Sequence, residues 1–405
     1  MADILKPRDE ADIVEALTWA AAEGKTLEVV GHGTKRAIGR AAQSDFTLDV
    51  SAVAGVDLYE PDELILSAKA GTPVTEIEKL LAASNQELAF EPMDCGPLLG
   101  GSPGMGTLGG VIAANLSGPR RPKVGAARDY SLGVHAVSGR GERFKAGGRV
   151  VKNVTGYDLS KLVAGSWGTL AVFTELTIKV LPRAEHVATV LVIGLDAAAA
   201  AQAMAAAMGS SCDVSGAAHF PPRVAEKLGV GAVIGSARGF TALRLEGIPV
   251  SVAYRRAKLE TILQSFGVLE ILEADESRAL WRAVRDVRPF ADGSTRAVWR
   301  ISVAPTDGVK VGAALEASTR AEVFYDWAGG LVWAEMPTVG AEQMAVRAAI
   351  GGRGHALLFR ADSAVRAAAQ VFEPPDPTLA ALSRRLKESF DPKGILNPGR
   401  MYAGV

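Results

Sequence analysis

The sequence predicts an α+β protein built from unlike parts, and three observations carry that reading. Over residues 1–182, helix and strand patterns alternate around three glycine-rich loops. Over 183–360, the order strand, helix, strand recurs in two rounds. Over 361–405, one amphipathic stretch runs into a turn-rich tail, "DPKGILNPGRM".

The first part opens with "EADIVEALTWAAAEG", whose apolar residues recur at helical spacing and which closes on Gly24. "LEVVGHG" is a strand running into glycines, and "FTLDVS" and "LILSAKAG" follow as strands. "PVTEIEKLLAASN" is a helix opened by Pro73, with Thr72 as its N-cap. Two more strand runs, "YSLGVHAVSG" and "LAVFTELTIKVLP", flank "GGRVVKNVTGYDLSKLVAGSWG", and Leu181-Pro182 marks the exit from the first domain.

In the middle part, strands are predicted at 189–193, 213–220, 241–246 and 268–273, with helices at 196–208 and 250–266. After an intervening helix, the second round has strands at 297–303, 321–327, 330–336 and 355–360, with helices at 306–317 and 341–352. Each round is a split β-α-β unit of the ferredoxin-like kind, which buries one sheet face under two helices. Two such units make one larger antiparallel sheet, suited to lie over a bound group as a cap. The final helix stops at Asp391-Pro392.

A chain of 405 residues supports several cores, and its formal net charge of −1 gives no electrostatic case for nucleic acid or membrane. The two cysteines, Cys95 and Cys212, rule out a cysteine-ligated iron–sulfur cluster within this chain, since about four are needed. They also fit a reducing compartment. "MADILKPRDE" is charged and lacks the apolar run of a secretory signal, so a cytoplasmic protein is expected.

The pattern G-x-G-x-x-G occurs from Gly104 to Gly109. A nicotinamide-binding turn needs a strand before these glycines, and "EPMDCGPLLGGSP" is too rich in Pro and Gly to be one. Two further loops, "GHGTKRAIG" and "GSWGTLAV", suggest instead a long ligand approached closely by backbone at several points.

"GHGTKRAIG", "LDVSAVAGVDLYEPDELILSAKAGTPVTEIEKLL", "GTLGGVIAANLSGPRRPKVGAARDYSLGVHAVSGRGE", "GGRVVKNVTGYDLSKLVAGSWGTLAVFTELTIKVLP" and "FDPKGILNPGRM" stand in the order and spacing of the FAD-linked oxidases, the vanillyl-alcohol-oxidase type of FAD-binding protein. The chain resembles that family, and within it the FAD-binding subunits of bacterial glycolate oxidases. The resemblance implies a two-subdomain FAD-binding domain of the PCMH type over 1–182, an α+β cap over 183–360, and a C-terminal helix and tail over 361–405 returning to the FAD domain. It places Gly31, His32, Gly33, Thr34, Lys35 and Gly39 at the pyrophosphate. Thr107, Gly109 and Gly110 fall beside the ribityl chain and flavin ring, with Asn115, Ser117 and Gly118 further along the cofactor. Gly168, Thr169 and Val172 contact the adenosine or flavin edge. His32 falls one residue early for a covalent flavin link, so FAD is expected to bind non-covalently.

Two departures matter. The family's "GSEGTLG" is "GSWGTLA" here, with Trp167 and Ala171 replacing an acid and a glycine. Relatives that oxidise D-2-hydroxy acids also carry H-x-G-D-G-N-x-H, whereas this chain reads "AAIGGRGHALLFRADS" and keeps only His355. No pair of its five histidines has metal-ligand spacing, so no metal site is expected. Candidates for catalysis are Tyr157, whose other reading is a packed tyrosine beside a helix-capping Asp158, and Arg285. Arg278, Arg282 and Arg285 share one helical face that either binds a carboxylate, docks a partner or is simply solvated.

Three functional readings follow. The first is the flavin subunit of a multi-subunit enzyme oxidising glycolate to glyoxylate. Its partners would be a paralogous flavin subunit carrying the metal-type site and an iron–sulfur subunit, with peripheral membrane association only through them. The second is a stand-alone flavin oxidase of another small hydroxy compound. The third is a scaffold without FAD.

Overall fold

The computed structural model describes residues 3–149, 156–230 and 238–404. Part of the "GGRVVKNVTGYDLSKL" stretch, 150–155, lies outside the described residues. A helix over Glu10–Glu23 opens on Asp9, whose carboxylate accepts the Asp12 N–H, and closes on Gly24 at φ 62°. It packs on a parallel sheet of β1 (Asp3–Leu5), β2 (Leu27–Val30) and β3 (Phe46–Asp49), in the order β1-β3-β2.

The second subdomain is antiparallel. It comprises β4 (Val56–Glu60), β5 (Ile65–Lys69), β7 (Ser131–Ser138), β8 (Arg143–Gly147) and β9 (Ala171–Lys179), in the order β4-β5-β9-β7-β8. A short pair, β6 (Gln86–Glu87) with β10 (Leu181–Pro182), stands apart from it. β4 and β8 are the sheet edges, and their charged residues hide the strand pattern from the sequence while protecting the edge. Thr72 is not a helix cap. Its hydroxyl exchanges hydrogen bonds with Gly55 and donates to Lys69 O, so the helix over Val74–Ala82 begins after Pro73 without a side-chain cap.

The remaining strands are β11 (His186–Ile193), β12 (Gly216–Phe220), β13 (Phe240–Gly247) and β14 (Val268–Glu273), then β15 (Val298–Val303), β16 (Glu322–Asp326), β17 (Leu331–Glu335) and β18 (Gly354–Arg360). They form one eight-stranded sheet ordered β14-β11-β13-β12-β16-β17-β15-β18. Each half has the ferredoxin-like order, and the halves meet at β12 and β16 through His219 and Tyr325. Helices cover one face over two separate cores. The other face carries Phe220, Phe324, Trp333 and Phe359 and packs on Met93, Cys95, Leu116 and Trp167 of the first part. That shared core fixes the cap against the glycine-rich loops.

The C-terminal segment returns. After the helix over Pro377–Phe390, the Leu27 N–H donates to Ile395 O and the Asn397 N–H donates to Leu27 O, extending β2. Buried Lys387 locks the turn by donating to Thr169 O, Leu396 O and Asp391, all within 2.8 Å.

Candidate functional site

A cleft opens where β2 runs out into loop 31–36, against the helix over Leu108–Ala114, the 167–173 segment and the C-terminal tail. It encloses about 730 Å³ including its mouth, inside the range of roughly 300–1,000 Å³ typical of cofactor pockets. Of the sequence-derived candidates, Gly31, His32, Gly33, Thr34, Lys35, Thr107, Gly109, Gly110, Gly168 and Val172 all line it. Residues from three loops, far apart in the chain, thus line one cleft.

The loop provides what an anion needs. Among the described residues, the N–H groups of His32, Gly33, Thr34 and Lys35 have no hydrogen-bond partner in the fold, and the Lys35 ammonium makes no ion pair. Free consecutive N–H groups beside a cation form a phosphate-binding concavity. The tail holds this loop in place: Arg400 Nη2 donates to Lys35 O at 2.6 Å and the Arg40 N–H donates to Arg400 O at 2.9 Å. Burial pushes Arg400 down to about 10. Asn397 accepts the Val29 N–H at 2.8 Å and donates to Trp167 O at 2.7 Å, so one side chain joins β2 to the third loop. Neither tail residue carries a local pattern that sequence reading could single out. Their only signal is membership of the quoted "FDPKGILNPGRM".

The glycines serve two different needs. A Cβ on Gly109 would lie 2.9 Å from both Ala70 Cβ and Ala70 O, so this glycine lets the helix touch β5's end. On Gly110 the nearest atoms would be Thr107 Oγ1 at 3.1 Å and Lys35 Nζ at 3.8 Å, so that Cβ would enter the cleft. Gly168, at φ +71°, would meet Asn397 Nδ2 at 2.6 Å.

Other candidates lie outside the cleft lining. Asn115 caps the helix at φ 49° and accepts the Arg128 N–H; Ser117 Oγ accepts the Ala127 N–H. The Thr169 hydroxyl donates to Ser166 O, and Gly39 packs on Arg400. Gly118 abuts Glu91, which its missing side chain permits. Tyr157 is 93% exposed, and Asp158 caps the helix over Leu159–Val163, accepting the Lys161 N–H. The structure does not bring Tyr157 to the cleft.

Arg285 is elsewhere too, and it is occupied. Its guanidinium grips Asp286 at 2.8 and 2.9 Å and approaches Glu78, at the edge of a second cavity between the first part and the cap. Around that cavity Arg244 pairs with Glu91 at 2.7 Å, and Arg120 pairs with Glu87 and Glu246 at 2.6 Å. Burial alone would raise Glu246, yet Arg244 and Arg120 hold it down to about 2. Arg278 leans on Asp275 and Arg282 lines the cavity. Trp281, on the same helix, is fixed by donating to Thr189 Oγ1 at 2.9 Å. Of this helix face, Arg285 reaches across to the first part, at 3.8 Å from Glu78, while Arg278 pairs within its own helix. Among the described residues, no three His, Cys, Asp or Glu side chains are grouped to hold a metal, and no helix is long and apolar enough to cross a membrane.

Residues 2–147 match the FAD binding domain family, and residues 366–401 match the C-terminal domain of FAD linked oxidases. The glycolate oxidase subunit GlcE of Escherichia coli is 31% identical over 392 residues, 96% of this chain and 97% of that protein. The glycolate oxidase subunit GlcD of Bacillus subtilis is 30% identical over 48% of this chain and 41% of its own. Among solved structures, 4-ethylphenol oxidase from Gulosibacter chungangensis is similar with a TM-score of 0.72 at 12% identity, covering 98% of this chain and 88% of that one. For p-cresol methylhydroxylase the TM-score is 0.71 at 12% identity, covering 99% and 88%. These structures establish the shared fold.

Proposed function

The chain belongs to the FAD-linked oxidases, and we propose that it is the FAD-binding subunit of a multi-subunit enzyme that oxidises glycolate to glyoxylate without NAD. The observation that carries this reading is the similarity to GlcE across nearly the whole of both chains. The cleft supports it from physics. Loop 31–35 and Lys35 would hold the pyrophosphate, and Thr107 and Gly110 would border the ribityl chain. Gly168 and Val172 would border the adenosine or flavin edge, with Asn397 and Arg400 keeping the walls in register.

FAD supplies hydride acceptance at its ring. The protein's part is to fix the anionic cofactor, exclude water and provide charge. Retention would be non-covalent, because His32 falls one residue early for a covalent link. The missing H-x-G-D-G-N-x-H segment favours divided labour, with a paralogous flavin subunit bearing the metal-type site and an iron–sulfur subunit taking electrons onward.

Co-expression with those two subunits tests this. The isolated chain should release FAD into the supernatant on acid precipitation and turn over little glycolate, and dye reduction should appear on assembly. Dye reduction by the isolated chain at the rate of the complex would replace this reading with a stand-alone oxidase.

A further inference from the structure

Where the cap meets the first part, two arginines form no ion pair with a carboxylate among the described residues. Arg300 lies on β15 opposite Trp333 of β17, which is in turn opposite Phe324 of β16. Phe324 and Trp333 face the first part, so this register turns Arg300 the same way. Asp326, two residues after Phe324, shares the face. The guanidinium carbons of Arg300 and Arg121 lie 4.9 and 4.5 Å from the centre of the Trp327 ring. Neither arginine makes an ion pair or a side-chain hydrogen bond among the described residues. Burial, and then the charge of Arg121, push Arg300 down to about 10. Arg300, half-buried at the junction, and exposed Arg121 thus lie against one ring with no carboxylate in ion-pair reach among the described residues, a setting that suits a bound anion.

The surroundings are built rather than accidental. Gly118 O accepts the Trp327 Nε1–H at 2.9 Å and the Arg121 N–H at 3.1 Å, so one carbonyl positions the ring and one of its cations. Trp327 and Ala328 both have positive φ, 51° and 57°, a strained pair of non-glycine residues. Cys95 lies within electrostatic reach of both Lys35 and Arg300. Arg121 is exposed, so the site communicates with solvent. Asp326 acts on Arg300 and Asp129 on Arg121 at a distance, and the Oδ1 of Asp326 is engaged by the Trp327 N–H at 2.7 Å.

We propose that Arg300 and Arg121, arrayed on Trp327, bind the carboxylate of a small 2-hydroxy or 2-oxo acid, the role that the cap-helix Arg285 does not fill. This rests on the proposed function for the class of acid. Guanidinium forks match carboxylate geometry, and the Trp327 ring holds both forks in place while leaving their N–H groups available.

Oxalate and glycolate titrated into the FAD-loaded chain, followed by calorimetry and by the flavin difference spectrum, test it. Wild type should bind oxalate, and Arg300→Met should weaken it about tenfold or more, as loss of a charge-assisted fork predicts. Arg121→Met, at an exposed position, should fold normally and weaken it severalfold, while Arg300→Lys retains part of the affinity. FAD content should be unchanged throughout. Wild-type oxalate affinity in both Met variants, or no oxalate binding by wild type, overturns the proposal. So does loss of FAD from Arg300→Met, which would assign the cation to the cofactor. Glycolate turnover by the assembled complex reports separately on the proposed function: oxalate binding through the two arginines without that turnover sinks the latter alone.

Discussion

The junction between the first part and the cap contains two groups of arginines that differ in one respect. Arg120, Arg244 and Arg285 are each gripped by a carboxylate within 2.8 Å. Arg121 and Arg300, like Lys35 in the cleft, have none among the described residues. The first group closes a joint, and the charges are satisfied in the protein by itself. The second group keeps its charges free of carboxylates among the described residues, as the proposed cofactor and anion sites require. Composition makes no such distinction, because all six are simply basic residues near glycines or aromatics.

The largest way to break the comparison is to remove a partner from the joint. Glu91→Ala leaves Arg244, only 2% exposed, without its main carboxylate, and also frees the Arg120 N–H. Orphaning a buried charge should cost about 3 kcal/mol or more. Denaturant unfolding should show that loss, with FAD affinity unchanged in the population that stays folded. A small loss would mean that Glu246 alone suffices and that the joint is redundant.

Next come the cleft glycines, where the same contrast appears as shape. Gly109→Val must push on the Ala70 backbone and should lower stability by about 1–3 kcal/mol. Gly110→Val should leave the melting temperature near wild type while FAD content falls severely, since its side chain enters the cleft. Equal FAD content in a folded Gly110→Val protein would remove the cleft assignment. Lys35→Glu sharpens the point by charge alone: stability should hold, and FAD affinity should fall about tenfold, the scale of one charge-assisted contact. Flavin fluorescence titration reads both.

Much of this was legible in the sequence, for identifiable reasons. The ferredoxin-like halves follow from periodic apolar runs, and the glycine loops from composition, although Gly109 and Gly168 make room for Ala70 and Asn397 of the fold itself. Ten candidate residues do converge on one cleft. What the sequence hid is pairing. Nothing near Arg285 in "WRAVRDVRPF" says that Asp286 will grip it, since adjacent residues seldom face each other on a helix. That Arg300 stays unpaired depends on β15 standing two strands from β16, a long-range register. Asn397 and Arg400 act on loops more than 200 residues away, through contacts that no local pattern encodes.

Asp326 offers the finest test, because it can move a residue from one group to the other. Burial raises its carboxyl to about 7, offset in part by the Trp327 N–H. Facing it are Glu91, which favours the proton, and Arg244 and Arg300, which oppose it. Below pH 7 the group is neutral, and Arg300 has no internal counterion. As pH rises through 7 the carboxylate forms, competes for Arg300 and repels an incoming anion. Oxalate affinity of the FAD-loaded chain should therefore fall severalfold between pH 6 and about 8, a shift on the scale of one partly buried charge. Asp326→Asn should flatten that profile while keeping the Trp327 N–H contact. Stability carries the opposite partner of the same linkage: the unfolded carboxyl ionises near its ordinary 3.8, so the native fold loses stability from there up to about 7, and the Asn variant does not. A profile equally steep in the Asn variant would show that another group controls the anion, and the boundary between paired and unpaired arginines would then lie elsewhere.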